Sequence, residues 1–405
     1  MTERVDVAII GGGQAGLATS WYLKQAGVDH VVLEAGRVAE TWRTRRWDSF
    51  CLVTPNWGCS VPGANYQGPD PDGYMSQAEL IDFFQGWAES FRAPVQENTR
   101  VSSLEKDGDD FVLKLPGSEL RARTVVVASG AFQRAHQPAG SEKLPQSVHQ
   151  IQAEDYRNPS QLPPGAVLIV GSGQTGCQLA EELDDDGRKV FLACGRAPWA
   201  PRRIEDRDQV WWARVSGWLD RTSDKLPSPQ ARFMSNPQAT GHGGGHDMHY
   251  RTLNARGVEL LGRFAGVEGS KIYFADDLAA SVDFGDARLM DVLKACNAYC
   301  AAQGRGPLDL EMPEPFRVTS RIELDLVREG IGAVIWTAGY RPDYGWIKLP
   351  VFDEMGFPVQ RDGCTNVKGL YFMGVTWMRK TKSAILYGAG EDAEVVARQI
   401  VERRS

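Results

Sequence analysis

Apolar residues in this chain fall into short, nearly unbroken runs, and two of the runs are closed by the same glycine pattern. The first run, "RVDVAII" (4–10), is β-branched and almost wholly apolar, which predicts a strand buried on both faces of a parallel sheet. A Gly-x-Gly-x-x-Gly turn follows at Gly11, Gly13 and Gly16. A helix is expected from about Gln14 to Ala26, and "GVDHVVLEAG" (27–36) gives a second strand, so the stretch reads as a βαβ unit. The order recurs from Gly165: the strand "AVLIV", a turn at Gly171, Gly173 and Gly176, a helix to about Leu183, and the strand "KVFLAC" (189–194). "TVVVASGAF" (124–132), "GAVIWTAGYRPD" (332–343) and "GLYFMGV" (369–375) supply further strands, and a last helix is expected over about 391–403. The Pro-rich "NPSQLPPG" (158–165) cannot be helix interior and marks a boundary. The expected fold class is α/β, with two Rossmann-like dinucleotide-binding domains. The first domain is discontinuous, 1–160 and 320–405. The second, 161–319, is inserted and carries a helical and loop insertion at about 202–250.

The glycines have separate tasks. Gly11 permits the tight turn, Gly13 lets the backbone approach a pyrophosphate, and Gly16 lets the helix pack closely on the strand, with Gln14 and Ala15 opening that helix. Glu34, followed by Ala35, ends the next strand, where an acid accepts both hydroxyls of an adenosine ribose. Gly171, Gly173 and Gly176 repeat the logic with Ser172, Gln174 and Thr175. There the acid is replaced: "FLACGRAPWAPRR" puts Arg196 at its place, which suits a 2′-phosphate, with Arg202 and Arg203 in reserve. Two dinucleotides in one chain imply an electron relay, so the expected cofactors are FAD at the first turn and NADPH at the second.

Composition narrows the classes. The chain of 405 residues is 42% hydrophobic and 24% charged, with formal net charge −7, which argues against nucleic acid as a partner. It has no apolar run long enough to span a membrane, and the first strand begins too early to leave room for a signal peptide, so a cytoplasmic location is expected. The seven cysteines include no Cys-x-x-Cys, which argues against a disulfide relay or a zinc knuckle; free thiols and no metal are expected. Cys296 and Cys300 are placed on one face of a helix.

Taken together, "GGGQAG" with "LEAG", "TWRTRRWDSFCLVTPN", "YMSQAELIDFF", "VVVASG", "GSGQTG", "TAGYRPD" and "GLYFMGVTWMRKTKSAILYGAGEDA" resemble, in order and spacing, the class B flavoprotein monooxygenases. That group holds the flavin-containing, Baeyer–Villiger and YUCCA-like enzymes, and the nearest likeness is to compact bacterial flavin-dependent oxidoreductases. The resemblance implies that Trp42 and Arg43 lie along the ribityl and phosphate side of FAD, that Thr54 and Pro55 approach its ring, and that Asn56 is the catalytic candidate, hydrogen-bonding a flavin C4a-peroxide. It implies further cofactor contacts from Val101, from Ala128, Ser129 and Gly130, from Thr337, Ala338 and Gly339, from Gly374 (followed by Val375 where related disulfide reductases have an acid), and from Ser383 and Tyr387. It implies an NADPH-dependent monooxygenase acting on a small organic substrate and O2. An NADPH oxidase or flavin reductase releasing H2O2 is the alternative. One departure keeps that alternative open: the family's Phe-x-Gly-x-x-x-His-x-x-x-Trp/Tyr run falls on Gln146, Val148, Gln152 and Tyr156, where the aromatic alone survives.

Two segments stay open. "RRIEDRDQVWWARVSGWLD" (202–220) sets Trp211, Val215 and Trp218 at helical spacing, which fits a lid over an apolar or aromatic substrate, a membrane-surface helix, core packing or a homodimer contact. "TGHGGGHDMHY" (240–250) reads as a flexible loop near the nicotinamide path or as plain surface.

Overall fold

The computed structural model describes residues 3–404. The elements that position the site are, in chain order, β1 (Glu3–Ile10), α1 (Gln14–Gln25), β2 (His30–Leu33), β3 (Val95–Gln96), β4 (Ser118–Val127), β5 (His149–Gln152), β6 (Ala166–Val170), α2 (Gln174–Asp185), β7 (Val190–Ala193), β8 (Glu259–Leu261), α3 (Leu278–Ala302), β9 (Ile331–Trp336), β10 (Leu370–Phe372) and α4 (Leu386–Arg404).

Two parallel arrays carry them. In the first sheet β10, β4, β1, β2 and β3 lie side by side in that order, all parallel. Two short strands extend it beyond β10, and the hairpin Ser103–Asp107 with Asp110–Leu115 pairs antiparallel onto β4. The second sheet runs β5, β9, β6, β7, β8, again all parallel. The apolar runs behave as a parallel array requires. Val7, Ala8, Ile9, Val125 and Val126 in the first sheet, and Val167, Leu168 and Ile169 in the second, are fully buried. Each large side chain of this kind contributes about 1.5–3 kcal/mol on leaving water. α1 packs against α4 on the first sheet.

The sheets redraw the expected boundaries. β5 lies before residue 161 and β9 after 319, yet both pair in the second sheet. Prolines mark where a chain cannot be helical; they do not say which sheet the next strand joins. The crossings between the sheets are two antiparallel linkers, Arg134–Ala135 against Tyr340–Arg341. The final helix starts at Leu386, five residues earlier than expected. The Trp-rich stretch forms only a short helix, Gln209–Val215, and a turn, Trp218–Asp220. Trp212 is 1% exposed and packs with Cys296 and Cys300 of α3, so core packing is its use.

Candidate functional site

The two glycine turns are nearly superposable in their local demands. Gly11 and Gly171 have φ of +112° and +113°, a region open to glycine. Each donates its N–H to the end of the neighbouring strand, Gly11 to Leu33 (2.8 Å) and Gly171 to Ala193 (3.1 Å). A Cβ on either would lie 2.5 Å from a carbonyl oxygen, that of Ala128 or of Thr337. A Cβ on Gly16 or Gly176 would lie 1.9 Å from the carbonyl of the turn's first glycine, so both helices sit directly on their strands.

At the first turn the cradle is open. A Cβ on Gly13 would meet nothing within 4 Å. Glu34 is held at its rim: Oε2 accepts from the N–H of Gly12 (2.6 Å) and Oε1 from that of Gly36 (2.8 Å), so each oxygen keeps a lone pair for a ribose hydroxyl. Asn98 and Thr99 donate backbone N–H groups to the carbonyls of Gly36 and Glu34, which flank Ala35, and Thr99 stands two residues before half-buried Val101. Ala128 is buried, while Ser129 and Gly130 lie at the surface end of β4. These residues fit an adenine dinucleotide.

The loop after β2 covers the opposite side. Trp42 is half-buried, and Arg43 Nε donates to the carbonyl of Val38 (3.1 Å). Thr54 and Pro55 lead into a short turn, Asn56–Gly58. Asn56 is 4% exposed; its Nδ2 donates to the carbonyl of Asp70 (2.9 Å), and its buried Oδ1 has no partner among the described residues. An orphaned buried acceptor costs about 1–3 kcal/mol unless a ligand or water answers it. The segment 374–384 closes this side. A Cβ on Gly374 would lie 3.1 Å from Ala15 Cβ, and Gln14 Nε2 donates to the carbonyl of Ala384 (3.1 Å). Ser383 Oγ accepts from the N–H groups of Arg379 and Lys380 (3.1 and 3.0 Å), and Tyr387 lies next to it, its ring 5.2 Å from Lys382 Nζ. Lys382 is buried. Desolvation opposes its charge, but Asp220 and Glu391, each 2.8 Å from Nζ, outweigh it and hold the ammonium above its ordinary range.

The second turn is covered. A Cβ on Gly173 would lie 3.3 Å from Ser235 Cβ, and Ser235 Oγ is buried without a partner. Gln174 Nε2 donates to the carbonyl of Pro237 (2.7 Å), and Gln238 Nε2 to that of Ser172 (2.8 Å). Residues 233–240 thus form a strap over the turn. Its far end is fixed to the first sheet's side, where Arg232 pairs with Asp353 (2.9 Å) and Phe233 meets Phe357 at 5.2 Å between centroids. Behind the turn, Ser172 Oγ accepts from Gly195 N–H (2.8 Å) and bonds Tyr250 Oη (2.6 Å). Burial pushes the Tyr250 hydroxyl well above its ordinary range, so it stays a neutral donor to Gly195. That network fixes Gly195 and so Arg196, which is exposed and makes no ion pair among the described residues. Thr175 is half-buried at the helix start.

Three expectations change. Arg202 is 2% exposed and paired with Asp208, so it is not free for a phosphate, while Arg203 is exposed and donates to the carbonyls of Gly244 and Gly245. Thr337 sits against the second turn, its Oγ1 donating to the carbonyl of Gly171 (2.6 Å), with Ala338 and Gly339 leading into the linker. They belong there because β9 pairs with β6. The His/Gly loop is tied down at points while its middle is exposed: a Cβ on Gly241 would lie 2.1 Å from the carbonyl of Leu52, His246 bonds Glu181 (2.6 Å), and His242, Gly243 and Gly244 face solvent. No group of side chains among the described residues could hold a metal. The strap and Tyr250 carried no sequence signal, because each draws its meaning from contacts distant in the chain.

Two parallel sheets, each ending in a glycine turn that opens a helix, give an α/β fold of the kind found in pyridine-nucleotide oxidoreductases. The chain belongs to the pyridine nucleotide-disulphide oxidoreductase family, whose model matches residues 8–218. It is 32% identical to an uncharacterized CzcO-like oxidoreductase of Geobacillus kaustophilus, over 99% of both chains. It is 28% identical to the rice indole-3-pyruvate monooxygenase YUCCA4, over 46% of this chain and 47% of that one. The fold matches a flavin-containing monooxygenase from Stenotrophomonas maltophilia with a TM-score of 0.69, at 21% identity and full coverage of both chains. The resemblance to class B flavoprotein monooxygenases is borne out, and the chain is an oxidoreductase of the pyridine-nucleotide family. No helix among the described residues is long and apolar enough to cross a membrane.

Proposed function

We propose that the chain is an NADPH-dependent FAD monooxygenase that places one atom of O2 in a small organic substrate, with FAD on the first sheet and NADPH on the second. The observation that carries this reading is the matched pair of turns with opposite charge at the rim, Glu34 at one and Arg196 at the other. When bound, FAD accepts hydride and passes the electrons to O2.

The chain's own residues hold, orient and exclude. Glu34 takes two ribose hydroxyls. The backbone at Gly13 and the N-terminus of α1 face a pyrophosphate. Arg196 pairs with a 2′-phosphate. Asn56 offers a buried acceptor beside the ring, and Trp42 supplies flat cover. The strap at 233–240 keeps water from the nicotinamide path. These tasks need no acid–base pair.

Anaerobic reduction of the holoenzyme by NADPH, followed by mixing with O2 in the presence of candidate substrates, tests the reading. Flavin bleaching faster with NADPH than with NADH, and oxygenated product matching NADPH consumed, are expected. Stoichiometric H2O2 with every substrate would instead establish the oxidase reading, which Gln146, Val148 and Gln152 favour.

A further inference from the structure

The segment 374–384 leaves the first turn at Gly374 and returns to it at Ala384, so its middle stands beside the flavin seat. There Trp377 adopts φ of +56°, a conformation costly for a bulky residue and frequent at functional sites. Arg221 is hydrogen-bonded onto this segment: its carbonyl accepts from Thr381 N–H (2.9 Å). Its guanidinium carbon lies 3.6 Å from the Trp218 ring centroid and 5.5 Å from that of Trp377.

The side chain is half-buried, and its hydrogen bonding is incomplete. Nε donates to the carbonyl of Trp218 (3.2 Å), while neither Nη makes a hydrogen bond or ion pair among the described residues. The neighbouring acids are engaged elsewhere. Asp220 bonds Lys380 and Lys382 (2.9 and 2.8 Å), with Glu391 completing that cluster, and Asp291 pairs with Arg288 (2.9 Å). Neither Nη is sealed from solvent, so the fork is open to an incoming anion. A guanidinium fork takes a carboxylate through two parallel N–H bonds, and the indoles beside it offer cover to a flat apolar body.

We propose that Arg221, with Trp218 and Trp377, is the substrate anchor, and that the substrate is an aromatic or otherwise flat organic carboxylate. The inference rests on the monooxygenase reading and specifies its substrate class.

Calorimetric titration of the oxidised holoenzyme tests it, using benzoate, phenylacetate and 2-naphthoate against their neutral amides. At least one acid binds saturably and about tenfold or more tighter than its amide. Arg221→Met removes that advantage without altering amide binding. Arg221→Lys, which keeps the charge but not the fork, retains part of it, and unchanged melting of both variants excludes misfolding. Equal binding of acid and amide, no saturable binding of any acid up to millimolar concentration, or wild-type affinity for the acid in Arg221→Met overturns the proposal. The titration involves no NADPH and no turnover. A failed oxygenation assay therefore leaves it standing, and its own failure leaves that assay untouched.

Discussion

Glu34→Gln probes the first turn with a change of one atom. Each carboxylate oxygen now accepts from one backbone N–H, Gly12 at 2.6 Å and Gly36 at 2.8 Å. A glutamine has one carbonyl oxygen, so its NH2 must face one of those N–H groups, donor against donor. The side chain has little room to swing away, since a Cβ on Gly12 would lie 3.0 Å from Glu34 Cβ. One lost charge-assisted bond and one donor left without an acceptor should destabilise the apoprotein by about 1–3 kcal/mol.

FAD binding suffers separately, because one of two ribose hydroxyls loses a charged acceptor, worth about 1.5–3 kcal/mol, or roughly ten- to a hundredfold in Kd. Stripping the flavin and titrating it back while following fluorescence quenching measures this directly, and thermal melting of the apoprotein measures the first effect. The KM for NADPH should not change, because Arg196 and the second turn lie on another sheet. Wild-type FAD affinity in Glu34→Gln would refute the assignment of ribose recognition to this carboxylate.

Arg196→Ala should raise the KM for NADPH about tenfold or more and leave that for NADH unchanged, since only the 2′-phosphate meets the guanidinium; steady-state kinetics with both nucleotides decide. His249 is buried, and desolvation lowers its pKa to about 4 from 6.5, with Asp247 opposing and Arg251 assisting. The unfolded chain therefore binds a proton over that window and the folded chain does not, so stability is full above the upper value and falls by about 3 kcal/mol as pH drops through it. Melting against pH should show that slope, and His249→Asn, which keeps an acceptor for Arg251 N–H, should flatten it. Of the seven thiols, Cys51 and Cys364 are half-buried and the others buried, so a thiol reagent should modify those two quickly in the native protein and the rest only after denaturation.

The glycine turns were legible because a backbone conformation demands a residue type on the spot. The φ of +112° at Gly11 and the 1.9 Å approach at Gly16 exclude every side chain, so the pattern is written locally. Sheet membership is not written locally. β5 and β9 read as ordinary strands, and which sheet they join depends on pairing across more than a hundred residues. Charge at a site is similar: Arg196 and Arg202 look alike in "CGRAPWAPRR", and only burial beside Asp208 separates the paired one from the free one. The strap reads as featureless loop, since "SPQARFMSNPQAT" has neither helical nor strand period.

A subtler feature is visible once the turns are compared. Both carry glutamine directly after the second glycine, and in each the amide reaches the segment lying over the turn. Gln14 donates to Ala384 and Gln174 to Pro237. The two covers are also joined. Arg221 is bonded to Thr381 on the first cover, and the chain runs on from it to Ser235 on the second. A nucleotide that enters the second turn must contend with Ser235, whose Cβ a Cβ on Gly173 would approach to 3.3 Å. Gln174→Ala should loosen the strap without touching the first turn: trypsin should then cleave more readily after Arg232, while FAD affinity stays at the wild-type value. Equal cleavage of both proteins would show that the Gln174 bond to Pro237 does not hold the strap.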